Sequence, residues 1–176
     1  VLEADPQNVN ALHLLGMACH EEGRHAEASD LLGRAISVRP HAGALHNSLG
    51  VVRLALGQYH EAKETLERAV SLDPSAAEAY SNLGLGVWCL GESDVAANCF
   101  GEALRRNPRD ACACLHLGKL AEDRGDVGNA EDLYRRAIAA ENAGKDGFLG
   151  LSRALTTQKR LEEARGVLQD AIARFP

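Results

Sequence analysis

The sequence predicts an all-α chain, a solenoid of stacked helix-turn-helix pairs, and three observations predict it. The five prolines, Pro6, Pro40, Pro74, Pro108 and Pro176, stand whole multiples of 34 residues apart, the period of a helical repeat. Blocks cut at Val9, Gly43, Ala77, Ala111 and Lys145 align with no insertion or deletion. Composition agrees: alanine, leucine, glutamate and arginine dominate, aromatics are 4%, and β-branched residues never gather into an alternating run.

The first eight residues come before any complete block. "VLEADP" matches "AVSLDP" at 69–74 and "ALRRNP" at 103–108, so residues 1–8 read as the end of a preceding repeat. The chain also starts with Val1 and not methionine, which reads as an excerpt or a processed product.

Five repeats follow, at 9–42, 43–76, 77–110, 111–144 and 145–176. In each, the first helix runs for about a dozen residues to a glycine, which closes a helix because it accepts positive φ without a Cβ clash. That glycine is Gly23, Gly57, Gly91 and Gly125, with Lys159 in the fifth copy. The second helix runs from there to the proline, which has no N–H for the i→i−4 ladder. Inside the first helix, Leu15, Leu49, Leu83, Leu117 and Leu151 precede a small residue at Gly16, Gly50, Gly84, Gly118 and Ser152. At 100° per residue both columns fall on the core-facing side, and the glycine lets a neighbouring helix come close. In the second helix, small residues at Ala28, Ala62, Ala96, Ala130 and Ala164, and at Ala35, Ala69, Ala103, Ala137 and Ala171, bracket Leu32, Leu66, Phe100, Tyr134 and Leu168.

The fourth block is irregular at its end. "AENAGKDGFLG" puts Asn142 in the proline column and Gly147 inside the next helix, so a softer turn or a local hinge is expected there. Its Gly144–Lys145 pair has no following Ser or Thr and no preceding strand, so it is no phosphate loop.

The pattern resembles the tetratricopeptide repeat, whose signature is an aromatic, then Leu-Gly, a tyrosine, and later Ala, a bulky residue, Ala and Pro. "AYSNLGLGVWCLGESDVAANCFGEALRRNP" at 79–108 matches it most fully, and the likeness extends from Val9 to Pro176. Two columns depart. The aromatic slot holds Leu12, His46, Tyr80, Cys114 and Phe148, and the tyrosine slot holds Cys19, Arg53, Val87, Ala121 and Leu155. Arg53 is the oddest of these, since a core-facing charge must snorkel or find a partner.

The resemblance implies a right-handed superhelix with the first helix of each pair lining its concave side. The second, fifth, ninth, twelfth and thirteenth residues of a block fall within about 100° of one another on that side. The candidate groove residues drawn from these columns are Asn10, His13, Met17, His20, Asn47, Val51, Leu54, Ser81, Leu85, Trp88, Lys119, Glu122 and Arg153, with Asn82 beside them. The expected groove has an apolar middle, Val51 and Leu54 to Leu85 and Trp88, flanked by polar ends. It suits a protein or peptide with a hydrophobic anchor.

Two specialised grooves of the family do not fit. The carboxylate clamp would need a lysine, two asparagines, a further lysine and an arginine where His13, Met17, Ser48, Glu78 and Asn82 stand. The asparagine lining of O-GlcNAc-transferase-like arms is met only by Asn82, beside Leu14, Ser48, His116 and Gly150. "VLEADPQNVNALHLLGMA" nevertheless looks like bacterial arrays that precede glycosyltransferase, sulfotransferase or methyltransferase domains. That likeness makes a substrate-recognition arm of a larger enzyme the alternative function.

Other classes find little support. The net charge of −6 and the lack of a basic stripe argue against nucleic acid, whose phosphates need clustered lysine and arginine. No segment approaches the roughly 18 apolar residues of a bilayer crossing, so no membrane partner is expected. Five cysteines, Cys19, Cys89, Cys99, Cys112 and Cys114, have no framework spacing, which favours free thiols in a reducing, cytoplasmic compartment. Of Cys112, Cys114 and His116, only Cys112 and His116 share a helix face, so no metal and no cofactor are expected. His13 and His20, seven apart, share the groove and could bind a ligand or sense pH. No nucleophile, base and orienting acid fall together, so no catalytic residue is proposed. Leu161, Ala164, Leu168, Ala171 and Ile172 form an apolar stripe with no capping helix after it, which would serve a homo-oligomer.

Overall fold

A computed structural model describes residues 5–140 and 144–175. Among these the fold is an all-α helical repeat of ten helices: α1 (Val9–Glu21), α2 (His25–Val38), α3 (Gly43–Ala55), α4 (Tyr59–Leu72), α5 (Ala77–Cys89), α6 (Ser93–Arg106), α7 (Ala111–Asp123), α8 (Val127–Ala139), α9 (Lys145–Thr157) and α10 (Leu161–Arg174). Each block of the sequence supplies two. The chain divides into two compact units after Ala96, inside α6.

The period is visible in how each helix begins and ends. Four glycines close the first helix of their pair in the left-handed region, with φ of 79° at Gly23, 72° at Gly57, 81° at Gly91 and 76° at Gly125. Lys159 takes the same conformation, φ 62°, although its side chain disfavours it. Where the sequence offers a capping residue, the next helix uses it. Asn8 Oδ1 accepts from the Ala11 amide at 3.0 Å, and Asp110 Oδ1 accepts from the Ala113 amide at 2.9 Å.

In the first unit, α1 to α5 pack as consecutive antiparallel pairs, with α1 against α3 and α3 against α5. Its interior is built from the predicted columns: Ala28, Leu32 and Ala35 are fully buried, as are Ala62 and Leu66. A Cβ added at Gly16 would stand 3.1 Å from Leu32 Cγ, and one added at Gly50 would collide with Leu66. The small column therefore exists to seat the bulky column of the same repeat. Leu15 is the exception among the leucines. It is 39% exposed beside Leu14 at 71%, whereas Leu49 and Leu83 are buried.

Arg53 finds partners and does not remain a buried bare charge. Its Nη1 donates to the Glu61 carbonyl at 3.1 Å and to Thr65 Oγ1. The Thr65 hydroxyl in turn donates to the Glu61 carbonyl at 2.7 Å. An arginine in the tyrosine slot is thus held by the start of the second helix of its own repeat.

The second unit has its core among Ala121, Ala130, Leu133, Tyr134, Leu151, Ala154, Leu155 and Ala164. The Tyr134 ring lies between two glycines. A Cβ at Gly118 would be 2.7 Å from it, and one at Gly150 would be 2.5 Å from it. Phe100, one repeat earlier, stacks flat on His116, with centroids 5.2 Å apart and planes within 9°.

Gly147, expected inside the next helix beside the irregular end of the fourth block, is the third residue of a regular α9 and is buried. A Cβ there would stand 3.2 Å from Ile138 Cγ1, so the glycine serves packing between α8 and α9. The expectations attached to Asn142 and Pro176, and most of the "VLEADP" match, lie outside the described residues. In α10 only Ala164 of the predicted stripe is well buried, while Leu161 is 62% and Ile172 72% exposed.

Candidate functional site: the exposed face of the first helices

In the first unit the candidate residues come from α1, α3 and α5, and the period sets their rows. The ninth residues of the three helices, Met17, Val51 and Leu85, are all half-buried. So are the twelfth residues, His20, Leu54 and Trp88. This graded exposure is what side chains at the rim of a helix-helix seam should show: part of the apolar surface packs and part is left for solvent or a partner. Leu54 leans on the next repeat, its Cδ2 being 3.4 Å from where a Cβ on Gly86 would sit.

Polar groups run beside this apolar row. Asn82 Nδ2 donates to Asn47 Oδ1 at 2.9 Å, joining α5 to α3. Each amide has a further donor or acceptor group not used in that bond, the combination that matches an extended peptide backbone. His13 Nε2 and Ser48 Oγ share a hydrogen bond of 2.8 Å between α1 and α3. A histidine beside a serine has the form of a base and a nucleophile, but Ser48 is only 9% exposed, within the seam. Asn10 is exposed on the first turn of α1.

Ser81 departs from the sequence expectation. It is 3% exposed and so does not offer a groove surface. Ser81 carries a short hydroxyl side chain at the fifth position of its helix, where His13 and Asn47, longer at the equivalent positions, stay half-buried. His13 and His20 are not brought together either. His13 bonds Ser48, and His20 Nδ1 instead meets His25 Nδ1 at 3.1 Å.

In the second unit, Lys119 and Glu122 on α7 and Arg153 on α9 hold the corresponding positions. Arg153 grips Glu122 with two bonds, Nε to Oε1 at 3.0 Å and Nη2 to Oε2 at 2.9 Å. The Tyr134 hydroxyl donates to the same carboxylate at 2.7 Å. Arg153 first, and the tyrosine hydroxyl after it, hold the Glu122 carboxyl below its usual range against the opposing effect of burial. Burial, then the adjacent Glu122, pushes the Tyr134 phenol up, so it stays a donor. Glu122 and Arg153, expected at a polar end of the groove, thus form a bidentate pair, anchored from behind by a ring that passes between Gly118 and Gly150.

Two features here were not read as part of the site from sequence. Tyr134 looked like one more bulky core residue; the hydroxyl it carries where the other repeats have Leu or Phe was the available signal. His25 gave none, because its partner His20 is met only once the loop at Gly23 has folded back. Burial pushes the Cys112 thiol up to about 11 and also raises Cys114, while Cys19 is buried. The raised Cys112 and Cys114 thiols are poor nucleophiles. Among the described residues no three His, Cys, Asp or Glu side chains converge as metal ligands, and no helix is long and apolar enough to cross a membrane.

Helix pairs of this length, closed by a left-handed glycine and stacked through small residues, define a helical repeat protein of the binding type. Two tetratricopeptide repeat models match it, one over residues 20–84 and one over 88–146. The chain belongs to the tetratricopeptide repeat family, whose members act as protein-interaction scaffolds. No curated protein matches it.

Solved structures share the fold. A thermophilic tetratricopeptide repeat protein of Thermus thermophilus aligns with a TM-score of 0.80 at 23% identity, covering 96% of this chain and 92% of that one. The Pseudomonas aeruginosa pilF protein gives 0.85 at 19% identity, covering 96% and 76%. A crystal structure of MamA gives 0.69 at 26% identity, covering 78% of this chain and 80% of that one.

Proposed function

We propose that the chain binds an extended peptide or protein segment on the face formed by α1, α3 and α5. The observation that carries this reading is the half-buried apolar row of Met17, Val51 and Leu85, with the Asn47–Asn82 amide pair beside it. A segment laid across the row would bury a hydrophobic side chain against Val51 and Leu85, and its backbone would take up the amide groups left over from the Asn pair. Trp88, half-buried on the last turn of α5, borders this row and adds an anchor of the kind that dominates binding energy. The scaffold does this without chemistry of its own.

Selection of peptides from a random display library on the intact chain tests this. Selected peptides are expected to share a large hydrophobic residue and to lose at least tenfold in affinity to Val51→Asp and to Asn82→Ala. Glu64→Ala on the exposed side of α4 is expected to leave affinity unchanged. Peptides that bind both groove variants as tightly as the parent would place recognition elsewhere.

A further inference from the structure

The geometry points to a metal site that uses two imidazoles, His20 at the end of α1 and His25 at the start of α2. Their Nδ1 atoms are 3.1 Å apart, with ring centroids 4.9 Å apart and planes inclined at 48°. For zinc, with metal–nitrogen bonds of about 2.0–2.1 Å, two neighbouring ligands subtending 90–110° must lie roughly 2.9–3.4 Å apart. The observed separation falls inside that window. Two neutral imidazoles facing each other through Nδ1 can hold only one proton between them. When the ring that carries that proton on Nδ1 takes its tautomer protonated on Nε2, both Nδ1 lone pairs are free for a cation and no proton is lost, after a modest rotation about each χ2, a torsion that is soft in histidine.

The backbone holds the pair ready. Gly23 in the left-handed conformation turns the chain, and the Arg24 amide bonds back to the Cys19 carbonyl at 2.8 Å, so α1 and α2 are fixed on either side. Both rings are half-buried, which leaves coordination positions open to water. The nearby carboxylates of Glu22 and Glu27 are engaged by Arg24, at 2.6 and 2.5 Å, so the remaining ligands are waters.

The fold does not require histidines here. The same two columns hold Leu54 and Tyr59, Trp88 and Ser93, Glu122 and Val127, and Thr156 and Leu161 in the other repeats. Imidazole donors with open water positions suit a borderline divalent transition ion, of which zinc is the usual biological choice. His20 also belongs to the candidate groove, so an ion held there would present its open positions at the groove's edge.

Calorimetric titration with zinc chloride alone tests the site, in a non-coordinating buffer with a phosphine reductant and in a Cys89→Ser background that removes the exposed thiol. The expected result is one zinc per chain, with at least a tenfold loss of affinity in His20→Gln and in His25→Tyr. His60→Gln, on α4, is expected to bind as the parent does. His25→Tyr reproduces the residue that the second repeat carries at this column, and its circular dichroism reports whether it has folded. Imidazole nitrogen resonances of His20 and His25 are expected to move on zinc addition and those of His60 to stay. Binding that survives both His variants, imidazole resonances that do not move, or no binding at millimolar zinc would each overturn the assignment.

Discussion

Lys159 bears the cost of a missing glycine. Four repeats turn on a glycine in the left-handed region, and the fifth makes the same turn, φ 62°, with a lysine that has a Cβ to accommodate. Lys159→Gly is expected to raise unfolding free energy by about 0.5–1 kcal/mol, less the entropy that glycine adds to the unfolded chain. Urea titration measures the change, and no gain in midpoint would mean that the Lys159 side chain makes a compensating contact. His116 belongs to the same scale. Burial first, then the Lys119 charge, with Asp146 opposing, pushes its imidazole down to about 4, so the folded chain keeps it neutral at pH values where the unfolded chain takes up a proton. Its folded pKa lies below the unfolded value near 6.5, so it has no effect above about pH 6.5 and lowers stability as the pH falls towards 4, by up to about 1.4 kcal/mol per unit. His116→Leu is expected to flatten that part of the curve relative to the parent in thermal melts across pH 4–7. Parallel curves for the two chains would show that His116 is protonated in place.

Within a helix pair, the decisive contact is a ring or branched chain resting on a glycine. At Gly118 a methyl group would press into the Tyr134 ring at 2.7 Å, and the ring is held on its other side by Gly150. Gly118→Ala is therefore expected to lose about 1–3 kcal/mol, the usual range for overpacking, even though alanine favours helix by itself. A double variant with Tyr134→Leu is expected to recover much of that loss in the same urea titration, and equal losses in single and double variants would remove the ring as the cause. Tyr134→Leu also deletes the donor to Glu122, so the Glu122–Arg153 pair is left without support from behind.

For the whole molecule, the periodic columns made the fold readable. Proline and glycine mark helix ends because one lacks an N–H and the other tolerates positive φ, and both effects act on single residues. The groove was readable only in part. Met17, Val51 and Leu85 stand where helical geometry puts them, but Ser81 vanished into a seam because burial depends on side-chain length across two helices, which a period does not encode. Pairings across helices, such as Glu122 with Tyr134 and Arg153, or His20 with His25, depend on rotamers and loop closure. No spacing rule along one helix reports them.

The seat of the Tyr134 ring sets an order among the repeats. In the second unit the bulky residue of one copy reaches the sixth position of the next: Phe100 lies flat on His116, and Tyr134 fills the space over Gly150. That position reads Leu14, Ser48, Asn82, His116 and Gly150 along the chain, and the copy that follows Tyr134 is the one with no side chain there. The fourth copy is thus fitted to the fifth as it stands, and copies that share one fold are not identical words. They obey a syntax, written in which side chain the following copy leaves out.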